Sequence, residues 1–161
     1  MKFGQASARV LMPPASFAST ATAQFTFDTS GFDEAVVDVE FGTNTTTNGK
    51  PALFSWLESD DTVVTNFAAI TALTGGTNSG NFTIPAQSAL GVGGLVQFQI
   101  DLRARKRYLQ LQMTPGTSGA QVLSVNAQLH RAEQLPVSAA QKSIINRDLT
   151  TSTAIALIVQ A

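Results

Sequence analysis

The sequence predicts an all-β protein: an antiparallel β-sandwich or jelly-roll-like body with extended N- and C-terminal arms. Three observations carry this. Apolar residues recur with period two, turn-forming residues punctuate the alternating runs, and the single helix-like window, Ser138 to Asp148, is short. In a strand, successive side chains face opposite sides of the sheet, so alternation puts one face on a core and the other outward.

The alternation runs as follows. Ala35, Val37, Val39 and Phe41 alternate with Val36, Asp38 and Glu40; Phe98, Ile100 and Leu102 with Gln97, Gln99 and Asp101. Leu109, Leu111 and Met113 alternate with Tyr108, Gln110 and Gln112; Val125, Ala127 and Leu129 with Asn126, Gln128 and His130. Further strands are predicted at Thr22–Asp28, Ala52–Glu58, Thr62–Ala68 and Phe82–Ile84. Between strands lie GTNTTTNGKP (Gly42 to Pro51), LTGGTNSGN (Leu73 to Asn81), GVGG (Gly91 to Gly94) and TPGTSG (Thr114 to Gly119). Gly and Asn supply positive φ, and Pro sets the first corner of a turn. Short strands spaced in this way point to a sandwich or barrel.

The expected organisation is an N-terminal arm over 1–20, stopped by Pro13-Pro14, a sandwich over 21–134, and a C-terminal arm or terminal strand over 135–161. The tail ends in the β-prone Ala154 to Val159, which would pair with this subunit or with a neighbour. No internal repeat is present. Leu102 and Leu109 are both inward, yet one is even-numbered and the other odd. A continuous strand cannot hold both on one face, so a turn or bulge must intervene. That break contains Arg103, Arg105, Lys106 and Arg107, and it predicts a basic cluster on a loop or hairpin tip.

Composition narrows the chemistry. The 161 residues suit one domain. Charged residues are 13% of the chain, about half the usual share, so the surface is polar but weakly charged and suits flat protein contacts. The net charge of −1 does not steer the molecule toward nucleic acid or an anionic membrane. Without cysteine there is no disulfide, thiolate nucleophile or Cys-based metal site. The apolar run at Ala154–Val159 is far short of the roughly 20 residues of a membrane span. Lys2 and Arg9 with Ala15 and Ala18 mimic a signal peptide, but Pro13-Pro14 breaks its apolar core; synthesis in the cytoplasm without secretion is expected.

No catalytic or cofactor site is expected. His130, the one histidine, falls on the outward phase of a strand, and no nucleophile elbow accompanies it. Glu58-Ser59-Asp60-Asp61 has oxygen ligands for calcium but no EF-hand spacing, and reads as a solvated turn; whether Asp60 and Asp61 bind an ion stays open. Gly91-Val92-Gly93-Gly94 lacks the lysine and the strand–helix setting of a phosphate loop. Arg103, Arg105, Lys106 and Arg107 are the candidate protein-contact residues. They read either as a docking patch for acidic protein surface or as a solvated tip, with nucleic acid well behind. Trp56, flanked by Leu53, Phe54 and Leu57, reads as core and not as a sugar platform.

Leu57-Glu-Ser-Asp-Asp61 followed by a Phe-containing strand, FQIDLRARKRYLQLQMTPG from Phe98 to Gly116, and AQLHRAE from Ala127 to Glu133 before Pro136 resemble a group of tailed-phage capsid decoration (cement) proteins. The resemblance spans Val36 to Pro136. It implies a non-enzymatic structural virion protein on the capsid exterior. Such a protein would bind the major capsid protein and form a homo-oligomer, a trimer sooner than a dimer, with no nucleic acid or membrane partner. Two other readings are carried with it: a glycan- or host-surface-binding module on a phage or cell exterior, and a hydrolase using His130.

Overall fold

The computed structural model describes residues 7–18, 21–42, 53–76, 80–84, 94–114, 121–130 and 155–160. The strands are β1 (Ser7–Phe17), β2 (Ala23–Asp28), β3 (Glu34–Phe41), β4 (Leu53–Ser59), β5 (Ala68–Gly76), β6 (Gly94–Asp101), β7 (Tyr108–Thr114), β8 (Gln121–His130) and β9 (Ile155–Gln160). They form a five-stranded sheet ordered β1-β8-β3-β6-β9 and a four-stranded sheet ordered β2-β7-β4-β5.

The first eight strands pair antiparallel as β1 with β8, β2 with β7, β3 with β6 and β4 with β5. This is a long hairpin rolled into two facing sheets, with β3–β8 and β4–β7 closing each sheet. It is the jelly-roll arrangement, and it matches the all-β sandwich expected from the alternation. β9 is added parallel to β6. The predicted terminal strand thus pairs within its own subunit. The helix-like window 138–148 lies outside the described residues.

The alternation places the core. Ala35, Val37, Val39 and Phe41 of β3, Val96, Phe98 and Ile100 of β6, and Leu123, Val125, Ala127 and Leu129 of β8 are buried on one inner face. Phe25 and Phe27 of β2, Phe54 and Trp56 of β4, and Leu109, Leu111 and Met113 of β7 meet them from the other sheet. Phe98 is the hub: Trp56, Phe54 and Phe82 stand edge-on to it with ring centroids at 5.4, 5.8 and 5.7 Å. Such tilted contacts add to the stabilisation from burial alone.

The structure alters several local expectations. Residues 7–17 of the expected N-terminal arm are an edge strand of the sandwich, and Pro13-Pro14 do not end it. They form an irregularity between Met12 and Ala15, after which pairing with β8 resumes. The strand predicted over 62–68 is instead a turn and a short 3₁₀ segment, Val64–Asn66, beside which Val63 is exposed, as is Val64 within it. Asp61 Oδ1 accepts the Val63 amide at 2.9 Å and Oδ2 the Asn66 side-chain amide at 2.8 Å, so a polar side chain overrides local β-propensity.

The next strand runs over Ala68–Gly76 and takes in residues 73–76, which read as turn in the sequence. Residues 82–84 are not a strand; the segment is held by single bridges, Gly75 to Gly80 and Gly76 to Thr83. The phase break between Leu102 and Leu109 is no hairpin tip: β6 and β7 lie in different sheets. Both leucines face one core because the chain crosses between the two sheets that enclose it.

Candidate interaction surface

The crossover of residues 102–107 brings the basic cluster to one end of the sandwich, beside Asp28 and the turn at 58–61. Arg103 pairs with Asp101, Lys106 Nζ lies 3.4 Å from Asp60, and Arg107 donates to both Asp28 oxygens. The Lys106 amide donates to Glu58 at 3.2 Å, and the Arg107 guanidinium lies 5.0 Å from the Tyr108 ring centroid. Three of the four predicted contact residues therefore spend their charge within the chain. The pairs are solvent-exposed and each is worth little to stability, but together they make a near-neutral rim. Arg105 differs: its Nε is shielded from solvent and has no hydrogen-bond partner among the described residues.

The Arg107 guanidinium and the Ser30 amide hold the Asp28 carboxyl below its ordinary 3.8. Asn66 and the Val63 amide do the same for Asp61. A depressed folded-state pKa means that the unfolded chain binds the proton more readily. The stabilisation is therefore present above the ordinary value of 3.8 and is lost as pH falls through the lower folded-state values. Urea midpoints are expected to fall on acidification below about pH 4, and Asp28→Asn is expected to flatten that slope. A midpoint with unchanged pH dependence in Asp28→Asn would count against the Asp28–Arg107 contact.

His130 ends β8 opposite Glu34 on the outer side of the five-stranded sheet. That open outer face also carries Arg9, Asp38 and Glu40, tied laterally through Arg9–Asn126 and Gln97–Asp38, each at 2.7 Å. A shallow depression of about 410 Å³ lies at its far end, between Pro14, Glu40, Leu95, Val122 and Ser124. Among the described residues its lining offers one carboxylate, Glu40, and no facing base.

The outer face of the four-stranded sheet is different, and sequence reasoning did not single it out. Register places Thr26, Gln110, Leu57 and Ala69 in one row, and Gln24, Gln112, Ser55 and Thr74 in the next. Thr114 and Leu53 follow. No ionisable side chain stands in these rows. Gln110 Nε2 donates to Thr26 Oγ1 at 2.9 Å, Gln112 Nε2 to Gln110 Oε1 at 2.9 Å, and Ser55 and Thr74 share a hydroxyl contact at 3.3 Å. Gln110 points outward yet is only 3% exposed, because its neighbours on the face enclose it. The signal was present in the outward phase of β2, β4 and β7, which over these rows reads Gln, Thr, Ser and Leu. Its meaning needed the strand order that sets those residues side by side.

No protein-family model matches the chain, and no curated protein matches it.

Proposed function

We propose that the protein is a non-enzymatic structural virion protein that binds the outer surface of a capsid and stabilises the shell by bridging major capsid protein subunits. One observation carries this reading: the outer face of β2-β7-β4-β5, whose central rows hold no charged side chain and are already hydrogen-bonded side to side, with Asp28 at its margin paired to Arg107. The centres of protein interfaces are depleted of charged residues. Burying these central rows against another protein leaves no carboxylate or ammonium stranded, and the Gln110 and Gln112 amides keep partners when water is excluded. Several modest contacts to neighbouring shell subunits then multiply into tight binding.

Jelly-roll bodies serve viral capsids and lectins alike, so the fold alone does not choose between them. The similarity of residues 98–116 and 127–136 to capsid decoration proteins favours the first. The glycan-binding alternative loses its aromatic platform, because Trp56 is fully buried between Phe27 and Phe98. The near-neutral rim around residues 103–107 supports a protein partner over nucleic acid, which calls for a basic field.

The test is co-sedimentation with shells assembled from the major capsid protein of the same genome. Leu57→Glu, at the centre of the uncharged face, is expected to weaken shell binding by on the order of tenfold or more, since one unpaired buried charge costs several kcal/mol. Val36→Glu on the opposite sheet is expected to leave binding unchanged. Equal binding by both variants would exclude this face. Failure of the wild-type protein to sediment with shells would exclude the function.

A further inference from the structure

A sandwich presents unpaired backbone groups at the edges of its sheets, and native proteins guard them with proline, charge, bulges or covering segments. β1 carries Arg9 and the Pro13-Pro14 irregularity. β5 is irregular opposite Ser55 to Leu57 and is overlaid by the bridges to Gly80 and Thr83. The free edge of β2, Ala-Gln-Phe-Thr-Phe-Asp, has no proline, no bulge and, among the described residues, no covering segment; its one charge, Asp28, stands at the end of the strand and is paired with Arg107.

The phase of that edge is defined. The Thr29 amide donates to Arg107 O at 2.9 Å, continuing the β2–β7 register. Opposite residues in an antiparallel ladder alternate between bonded and non-bonded pairs. Phe27, Phe25 and Ala23 therefore bond to β7, while the N–H and C=O groups of Gln24, Thr26 and Asp28 point away from it. No strand lies beyond β2 among the described residues.

We infer that β2 is a homodimerisation edge, pairing antiparallel with β2 of a second copy about a twofold axis at Thr26. This register sets Thr26 against Thr26 and Gln24 against Asp28 of the partner subunit, so an amide meets a carboxylate on each side of the axis. All outward-pointing backbone groups of the strand are bonded. On the inner phase, Phe25 stands opposite Phe27 of the partner subunit, a favourable aromatic cross-strand pair. Centring the axis on Asp28 would oppose two carboxylates; centring it on Gln24 would leave Asp28 beyond the paired strand. The outer faces of the two copies would join across this seam, with one Asp28–Gln24 pair on either side of the axis. The contact is isologous, in place of the threefold arrangement that the family resemblance implies.

Analytical ultracentrifugation of the full chain tests this without any capsid. The wild-type protein is expected to show a concentration-dependent monomer–dimer equilibrium. Thr26→Lys opposes two ammonium groups at the axis and is expected to weaken dimerisation at least tenfold; Thr26→Glu does likewise. An equimolar mixture of the two is expected to recover a heterodimer. Gln24→Lys, which faces Asp28 of the partner subunit, is expected to strengthen the dimer, a result that a merely misfolded variant would not give. A wild-type protein that stays monomeric at every concentration, or forms a trimer, overturns the inference. So does a dimer indifferent to Thr26→Lys, which would place association at another edge such as β9.

Discussion

Replacing Trp56 by alanine is expected to lower the unfolding free energy by about 3–5 kcal/mol, a large part of the roughly 5–15 kcal/mol that holds a domain together. Trp56 is fully buried on β4, edge-on to Phe27 at 6.1 Å and to Phe98 at 5.4 Å. It joins the two sheets at their centre, so the cavity cannot close by movement of one strand alone. Urea unfolding followed by far-UV circular dichroism measures the loss. Trp56→Phe is expected to cost much less. The buried indole N–H has no hydrogen-bond partner among the described residues, and removing it relieves a desolvation penalty that partly offsets the lost volume. A Trp56→Ala protein within about 1 kcal/mol of wild type would contradict the packing described for this centre.

Gly75→Ala is expected to destabilise the fold by roughly 1–3 kcal/mol, the usual range for overpacking a filled site. A methyl group there would collide with the Phe82 carbonyl and lie 2.7 Å from its ring. The carbonyl is backbone and cannot rotate aside. Phe82 O accepts the Gly76 amide, and the Ile84 amide donates to Gly76 O at 2.9 Å, which keeps the 80–84 segment against β5. Ile84 is buried and Phe82 leans on Phe98, so a shift of this segment opens the core beside Trp56. Gly80, with φ of +113° and its own approach to Gly75, completes the clasp. Thermal melting of Gly75→Ala reads the effect. An unshifted melting temperature would mean that the 80–84 segment does not bear on the core.

The cores of β3, β6, β7 and β8 were legible because a half-buried strand must alternate, whichever strand lies alongside it. Ala35, Val37, Val39 and Phe41 are the inward residues of β3, and all four are buried. The even-to-odd change between Leu102 and Leu109 likewise announces a break in the strand from the order of residues alone. Residues 62–68 misled because Val63 and Val64 favour a strand in isolation, while Asp61, bonding to Val63 and Asn66, turns the chain there. Conversely, the glycines at 75 and 76 look like a turn, yet Gly75 lets the 80–84 segment pack closely against β5.

The basic cluster was visible as a cluster, but not as a neutral one. Its partners Asp28 and Asp60 lie far away along the chain and arrive only when β2 and the turn at 58–61 meet the crossover. The uncharged rows were present in the outward phase of the separate strands, but only the strand order sets them side by side.

The order of residues along the chain is enough to establish that the protein is built of strands, which side chains most of those strands bury, and that its surface carries little charge. Each of these follows from local chemistry: the twofold alternation of side chains and the identity of the residues in each phase. The jelly-roll order, the placement of β1 and β9 at the sheet edges, the pairing of the arginines and the alignment of the uncharged rows became visible in the folded molecule alone. Those depend on which distant strands exchange backbone hydrogen bonds, and backbone groups are the same in every strand, so the choice is made by how the whole core packs.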